Sequence, residues 1–216
     1  MVVVGIDTSG GVAAAALAPD AQGVSTTKEQ ALEGLLPCVR RALASIDREL
    51  SAASAIAVCV GPGSFTGLRI GVAFAKSLAQ ALGVGVFGIS SFDVVASLRA
   101  ATEPGPHQMT VVEGKRGFFY ARIARATTEP AVLVSGDRDA LASAARDAFG
   151  VPAGAAELER ALDAARCDPG MRAMATATLG REAIAAGASG DWRRLAIEYG
   201  QRPNAVVNWE RRHGRR

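Results

Sequence analysis

The amino-acid sequence predicts an α/β fold whose sheet opens with antiparallel strands and continues with alternating helices and strands. Three observations lead there. Short apolar stretches separated by glycine-bearing turns fill the chain up to Thr27. At Lys28 the apolar period lengthens to that of a helix. Two apolar runs, Ala55–Val60 and Gly85–Ile89, are each followed by a helical pattern.

Taken in order, Val2–Ile6 is a β-branched run, Asp7-Thr8-Ser9-Gly10-Gly11 a polar turn, and Val12–Ala18 a second extended segment, so the two strands form a hairpin. After the turn Pro19–Gly23, Val24–Thr27 supplies a third strand. From Lys28 to Leu50, Leu32, Leu36, Val39, Leu43, Ile46 and Leu50 recur at steps of four and three, one stripe of a helix that Pro37 bends without ending. Ala55–Val60 is a buried strand, Gly61-Pro62-Gly63 a loop, and Phe65–Leu82 a helix. Gly85–Ile89 is another strand, after which Ser90-Ser91 caps a helix over Phe92–Ala101. The order β-β-β-α-β-α-β-α resembles one half of the actin-like ATPase (ribonuclease H-like) fold, which implies two lobes, each with a mixed β-sheet flanked by helices.

Thr102–Pro106, polar and doubly proline-bearing, reads as the domain boundary. Beyond it, Thr110–Glu113 and Phe118–Ala124 flank Gly114–Gly117 as a hairpin, Ala131–Val134 is a strand, and helices fit Arg138–Phe149, Ala155–Arg166 and Met171–Ala186. The expected division is an N-terminal lobe over 1–103, a smaller C-terminal lobe over 107–190 and an Arg-rich segment over 191–216.

The chain has 216 residues, 49% of them apolar, enough for a sizeable core, but only 5% aromatic. A core of alanine and other small residues lets helices and sheet approach closely. Nothing reads as a secretion signal or a membrane span, so the expected location is the cytoplasm, with no membrane partner. Cys38, Cys59 and Cys167 are too scattered for a disulfide framework or a metal knuckle, and two histidines, His107 and His213, cannot build a histidine metal centre. Neither a metal nor a cofactor is expected. The net charge of +3 is a property of the end of the chain, where Arg193–Arg216 holds seven Arg against two Glu. Such a tail offers contacts to RNA phosphates, or a solvated terminus.

Two stretches are candidates for chemistry. Asp7, Thr8 and Ser9 at a strand-to-strand turn suit either a phosphate and metal-bound water or an Asx turn closed on its own backbone. Gly63, Ser64, Thr66 and Gly67 lie in a loop before a helix, where N–H groups can meet an anion. Together these residues make a candidate vestigial nucleotide loop. The glycines are spaced G-x-G-x-x-x-G, no Gly-Lys-Ser/Thr follows, and Ser64 is not in a nucleophile elbow. The helix itself carries small residues four apart, Gly67, Gly71, Ala75 and Ala79, and an apolar stripe including Leu68 and Val72. This groove suits close packing, either against a partner or within the chain.

GIDTS, EGLLP, VGPGSFTGLRIGVAFAKSLAQALGVGVFGISSFDVVA, EGKRGFFY and RPNAVVNWERR are spread over most of the chain. With these motifs it resembles the TsaB family, bacterial proteins of the machinery that makes the threonylcarbamoyl modification on the adenosine beside the anticodon of certain tRNAs. The resemblance implies a protein with no catalytic site that pairs with a TsaD-type catalytic subunit and a TsaE-type ATPase, forms a homodimer in isolation, and meets tRNA through the complex. The implied partner surface is built from the first two long helices, here Leu32, Leu36, Val39, Leu43, Gly67, Leu68, Gly71, Val72, Ala75 and Ala79. TsaD carries an iron-binding H-x-x-x-H whose histidines fall on Ser91 and Val95 of this sequence, so the metal is not implied. Two departures stand out: Gln30-Ala31-Leu32-Glu33 lacks the histidine usual before L-L-P, and Glu113–Gly117 replaces D-x-R-x-G. The rival reading is an actin-like ATP-dependent phosphotransferase or ATPase using Asp7, Thr8 and the glycine loop.

Overall fold

A computed structural model describes residues 1–102, 109–115, 117–124 and 131–200. Strands β1 (Val2–Asp7), β2 (Val12–Leu17), β3 (Gln22–Thr27), β4 (Ala53–Gly61) and β5 (Gly85–Ser90) form one sheet in the order β3-β2-β1-β4-β5. The first two pairings are antiparallel, with Val3 opposite Leu17 and Val12 opposite Thr27; β1–β4 and β4–β5 are parallel. β1 and β4 are buried almost throughout, as strands covered on both faces must be.

Alternation along β1 divides the core. Val2, Val4 and Ile6 face helices α1 (Ala31–Ala44) and α2 (Phe65–Leu82) together with Ile56 and Val58. Val3 faces the other way, with Ala13, Ala15 and Ala57, against helix α6 (Pro169–Ala185). That second face is built for close approach. A Cβ on Gly5 would lie 2.7 Å from the Ala177 nitrogen, and one on Gly180 would collide with the Ala57 Cβ. The expected C-terminal lobe over 107–190 therefore needs correction: its last helix crosses back onto the first sheet, because only small residues on both sides permit a helix to lie there.

The second sheet is an antiparallel meander of β6 (Met109–Glu113), β7 (Phe119–Ile123) and β8 (Val132–Gly136), not a mixed sheet. One face carries α4 (Arg138–Phe149) and α5 (Ala153–Ala165), and the other meets α3 (Ser91–Thr102) through Phe92, Val95, Val112 and Tyr120. Arg99 ties α3 to the second sheet and its helix α5, forking onto both carboxylate oxygens of Glu157 at 2.9 and 3.1 Å and onto the Met109 carbonyl at 2.8 Å. Burial by itself would raise the Glu157 pKa; Arg99 and Arg160 outweigh it and hold the carboxyl below its usual range. The boundary expected at Thr102–Pro106 falls almost wholly outside the described residues.

Helix α1 is shorter than its stripe suggests. Ser45 caps it, Asp47 adopts φ 54, and the Arg48 N–H reaches back to the Leu43 carbonyl at 3.1 Å. α2 begins and ends as expected: Ser64 accepts the Gly67 N–H, and Gly83 closes the helix at φ 68. The segment 191–200 is not a free tail. Trp192, Leu195 and Ile197 pack on the first core, and the Glu198 N–H bonds the Val60 carbonyl at 2.8 Å. Residues 201–216, with five of the seven arginines of the Arg193–Arg216 stretch, lie outside the described residues.

Candidate functional site

The turn Asp7-Thr8-Ser9 leaves the carboxyl end of β1, where the neighbouring pairing changes from antiparallel to parallel. In open α/β sheets ligands collect outside the carboxyl ends of the strands. Here that place is closed. Asp7 is 1% exposed, and Thr8 and Ser9 are buried beside it. Asp7 Oδ1 accepts the Ser9 N–H at 2.7 Å and the Ser9 hydroxyl at 2.6 Å, which is an Asx turn. Arg172 of α6 takes the rest: its Nε donates to Asp7 Oδ2 at 3.0 Å and its Nη2 to Ser9 Oγ at 2.7 Å.

The electrostatics follow. Burial disfavours the Arg172 charge, but Asp7 overcomes it and holds the guanidinium protonated well beyond its ordinary range. Cys59, at the end of β4 with its Sγ 2.9 Å from the Ser91 hydroxyl, is pushed up to about 12 by burial and then by the Asp7 carboxylate, so it is a neutral thiol. A carboxylate has about four lone-pair directions, and three are used here within the chain. A divalent cation at Asp7 would have to displace a buried guanidinium of the same sign.

The glycine loop is spent on the same turn. The Ser64 N–H bonds the Ser9 carbonyl at 2.7 Å, and Ser64 Oγ accepts from Gly67 at 3.3 Å. Thr8 Oγ1 donates to the Gly67 carbonyl at 2.8 Å. A Cβ on Gly63 would lie 2.7 Å from the Ser9 Cβ, and Cβ atoms on Gly67 and Gly71 would strike the Thr8 carbonyl and hydroxyl. The G-x-G-x-x-x-G spacing thus seats a helix on a turn, with Thr66 outside it and exposed.

This corrects most of the expected partner surface. Leu68, Gly71, Val72, Ala75 and Ala79 are buried in the chain's own core, and so are Val39 and Leu43 of α1; Gly67 is half-buried under Thr8. The buried face of α1 is set by Leu35, Cys38, Val39 and Ala42, which leaves Leu32 79% and Leu36 36% exposed. Sequence reasoning missed Phe65 in the first turn of α2. Its ring is 55% exposed, with the Arg69 guanidinium 4.0 Å above it and Tyr199 at 5.3 Å, while Arg69 Nε donates to the Tyr199 hydroxyl at 3.2 Å. Arg172 was missed too, although an arginine inside the alanine-rich stretch Met171–Ala177 signals a buried carboxylate somewhere in the fold.

Ser91 and Val95, where TsaD has its histidines, are fully buried. Among the described residues no three of His, Cys, Asp and Glu gather as a metal site; His107 and His213 lie outside them. Glu113 ends β6, and Gly114 and Lys115 close a tight hairpin turn with Phe118. No described helix is long and apolar enough to cross a membrane.

The sheet order, crossover helix and closed turn define an α/β protein of the class resembling the actin-like ATPases. The chain belongs to the family described as TsaD, tRNA N6-adenosine threonylcarbamoyltransferase, whose profile matches residues 21–176. It is similar to the tRNA threonylcarbamoyladenosine biosynthesis protein TsaB of Bacillus subtilis, 34% identical over 101 residues, which cover 45% of this chain and 44% of that protein. An uncharacterised protein of Mycobacterium tuberculosis is 34% identical over 109 residues, half of each chain. The chain spans between about a fifth and a half of the length of the curated relatives it matches first. YeaZ from Pseudomonas aeruginosa shares the fold, with a TM-score of 0.65 and 22% identity over 92% of this chain and 99% of that one.

Proposed function

We propose that the chain is a TsaB-type subunit without a catalytic site of its own. It pairs with a TsaD-type catalytic subunit, joined by a TsaE-type ATPase, for threonylcarbamoylation of the adenosine beside the anticodon, and meets tRNA through that complex in the cytoplasm. One observation carries the non-catalytic part: Arg172 already occupies the Asp7 carboxylate, so the place where this fold would hold a nucleotide and its cation is filled by the chain itself. Family membership and the similarity to TsaB support the partner.

The docking surface in this reading is what α1 and α2 leave outside: Leu32, Leu36 and Phe65, rimmed by Arg69. Exposed large apolar side chains that the core does not use are candidates for interface anchors, and a few such anchors carry most of an interface's energy. A second copy of the chain uses the same surface when the catalytic subunit is absent, so homodimer and heteromer compete. Size-exclusion chromatography of the full chain mixed with a TsaD-type subunit tests this: a shared peak is expected, and two unchanged peaks would remove the reading. The ATPase alternative predicts ATP turnover by the chain alone that disappears in Asp7→Ala; no turnover is expected.

A further inference from the structure

The Arg172 guanidinium also lies 3.8 Å from the Cys167 sulfur, through Nη1, but its oxygen partners lie across the fold. From the first turns of α6 its side chain reaches Asp7 and Ser9. Ser9 in turn bonds Ser64, the N-cap of α2, and Thr8 fills the notches at Gly67 and Gly71. Phe65 stands between Ser64 and Gly67, on the outside of that same turn of helix. A charge contributed from residue 172 is therefore two contacts away from the most exposed aromatic ring of α2.

We infer that Arg172 is a positioning residue: by fixing the Asp7–Ser9 turn it sets the first turn of α2, and Phe65 with it, for docking of the catalytic subunit. The inference rests on the proposed function. The chemistry is that of a tethered counter-ion. The guanidinium holds the turn through hydrogen bonds to two of its residues, and the turn in its place seats the start of α2. Two features separate this from ordinary core stabilisation. The guanidinium meets the turn through two different nitrogens, on Asp7 and on Ser9, which a single ammonium cannot reproduce. The groups it holds are the ones that contact α2.

The test uses the full chain, with Arg172→Lys and Arg172→Ala compared with wild type for affinity to a TsaD-type subunit by calorimetry. Thermal unfolding checks the fold of each. Arg172→Lys, which keeps the charge and loses the fork, is expected to stay folded and bind about tenfold more weakly. Its amides over residues 64–68 are expected to exchange hydrogen faster. Arg172→Ala is expected to bind more weakly still, and to recover most of its affinity in guanidinium chloride at tens of millimolar, far below denaturing concentration, but not in sodium chloride at the same strength. A merely structural arginine would move the melting temperature without this recovery. If Arg172→Ala does not fold, Arg172→Lys decides the matter. Wild-type affinity in folded Arg172→Lys overturns the inference alone, as does a loss in folded Arg172→Ala that guanidinium does not reverse. A wild-type chain that does not bind the catalytic subunit overturns both the inference and the proposed function.

Discussion

Gly71→Ala separates internal packing from a partner groove. In a helix interior the substitution is intrinsically favourable by about 1 kcal/mol, since alanine loses less backbone freedom. At an open groove that gain would appear as added stability. At Gly71 the new Cβ would press on Thr8 Oγ1 and lie 3.2 Å from both the Thr8 Cβ and Cγ2. Thr8 is buried and spends its hydroxyl on the Gly67 carbonyl at 2.8 Å, so turning it away breaks a buried hydrogen bond. Overpacking costs about 1–3 kcal/mol, and a buried hydroxyl left unpaired costs about the same again. Against the helix gain, the net expectation is a destabilisation of about 1–5 kcal/mol. At about 2–4 °C per kcal/mol for a chain of this size, calorimetry should record a fall in melting temperature of roughly 2–20 °C. Thr8→Ala in the same chain removes the clashing hydroxyl, so the pair should be less destabilised than the sum of the single changes. A Gly71→Ala protein as stable as wild type, with no coupling to Thr8, would refute the packing account and return the small-residue stripe to a partner.

Asp7→Asn leaves Arg172 charged and uncompensated in a buried site, which is expected to cost about 3–5 kcal/mol in denaturant unfolding; a near-neutral result would mean that the pair does not close the turn. The Cys59 thiol titrates near 12 in the folded chain against an ordinary 9.0, so the folded state holds this proton where the unfolded state has lost it. Its stabilisation is full below about pH 9 and disappears as the pH rises towards 12, at about 1.4 kcal/mol per pH unit; Cys59→Ala should flatten that alkaline slope. Glu157 titrates the other way: its depressed folded pKa gives stability above its ordinary range that is lost as the pH falls through the folded value. Glu157→Gln should weaken this acid dependence while costing stability through Arg99.

Most of the secondary structure was legible because its signals are local. The β-branched run of β1, the Ser64 cap, the Gly83 stop and the apolar period of α2 sit within a few residues of what they determine. The α1 face departs from its leucine stripe for a local reason as well: Leu32 and Leu36 fit a step of four, but Leu35, Cys38, Val39 and Ala42 form the face the sheet covers. What could not be read was long-range. Gly5 against Ala173–Ala177, and Asp7 against Arg172, are separated by more than 160 residues, and no periodicity links them. The Gly63, Gly67 and Gly71 spacing was visible, but its cause, the body of Thr8 and Ser9, belongs to another element.

The central claim is that this chain docks a TsaD-type subunit through the outer side of α1 and α2. Multi-angle light scattering of the full chain with that subunit, comparing wild type with the double substitution Leu32→Asp, Phe65→Asp, tests it most directly. The account predicts a heteromer with wild type and separate species with the double variant, whose melting temperature should stay near wild type because both side chains are exposed. A heteromer that forms equally well with the folded double variant, or none with wild type, would contradict it.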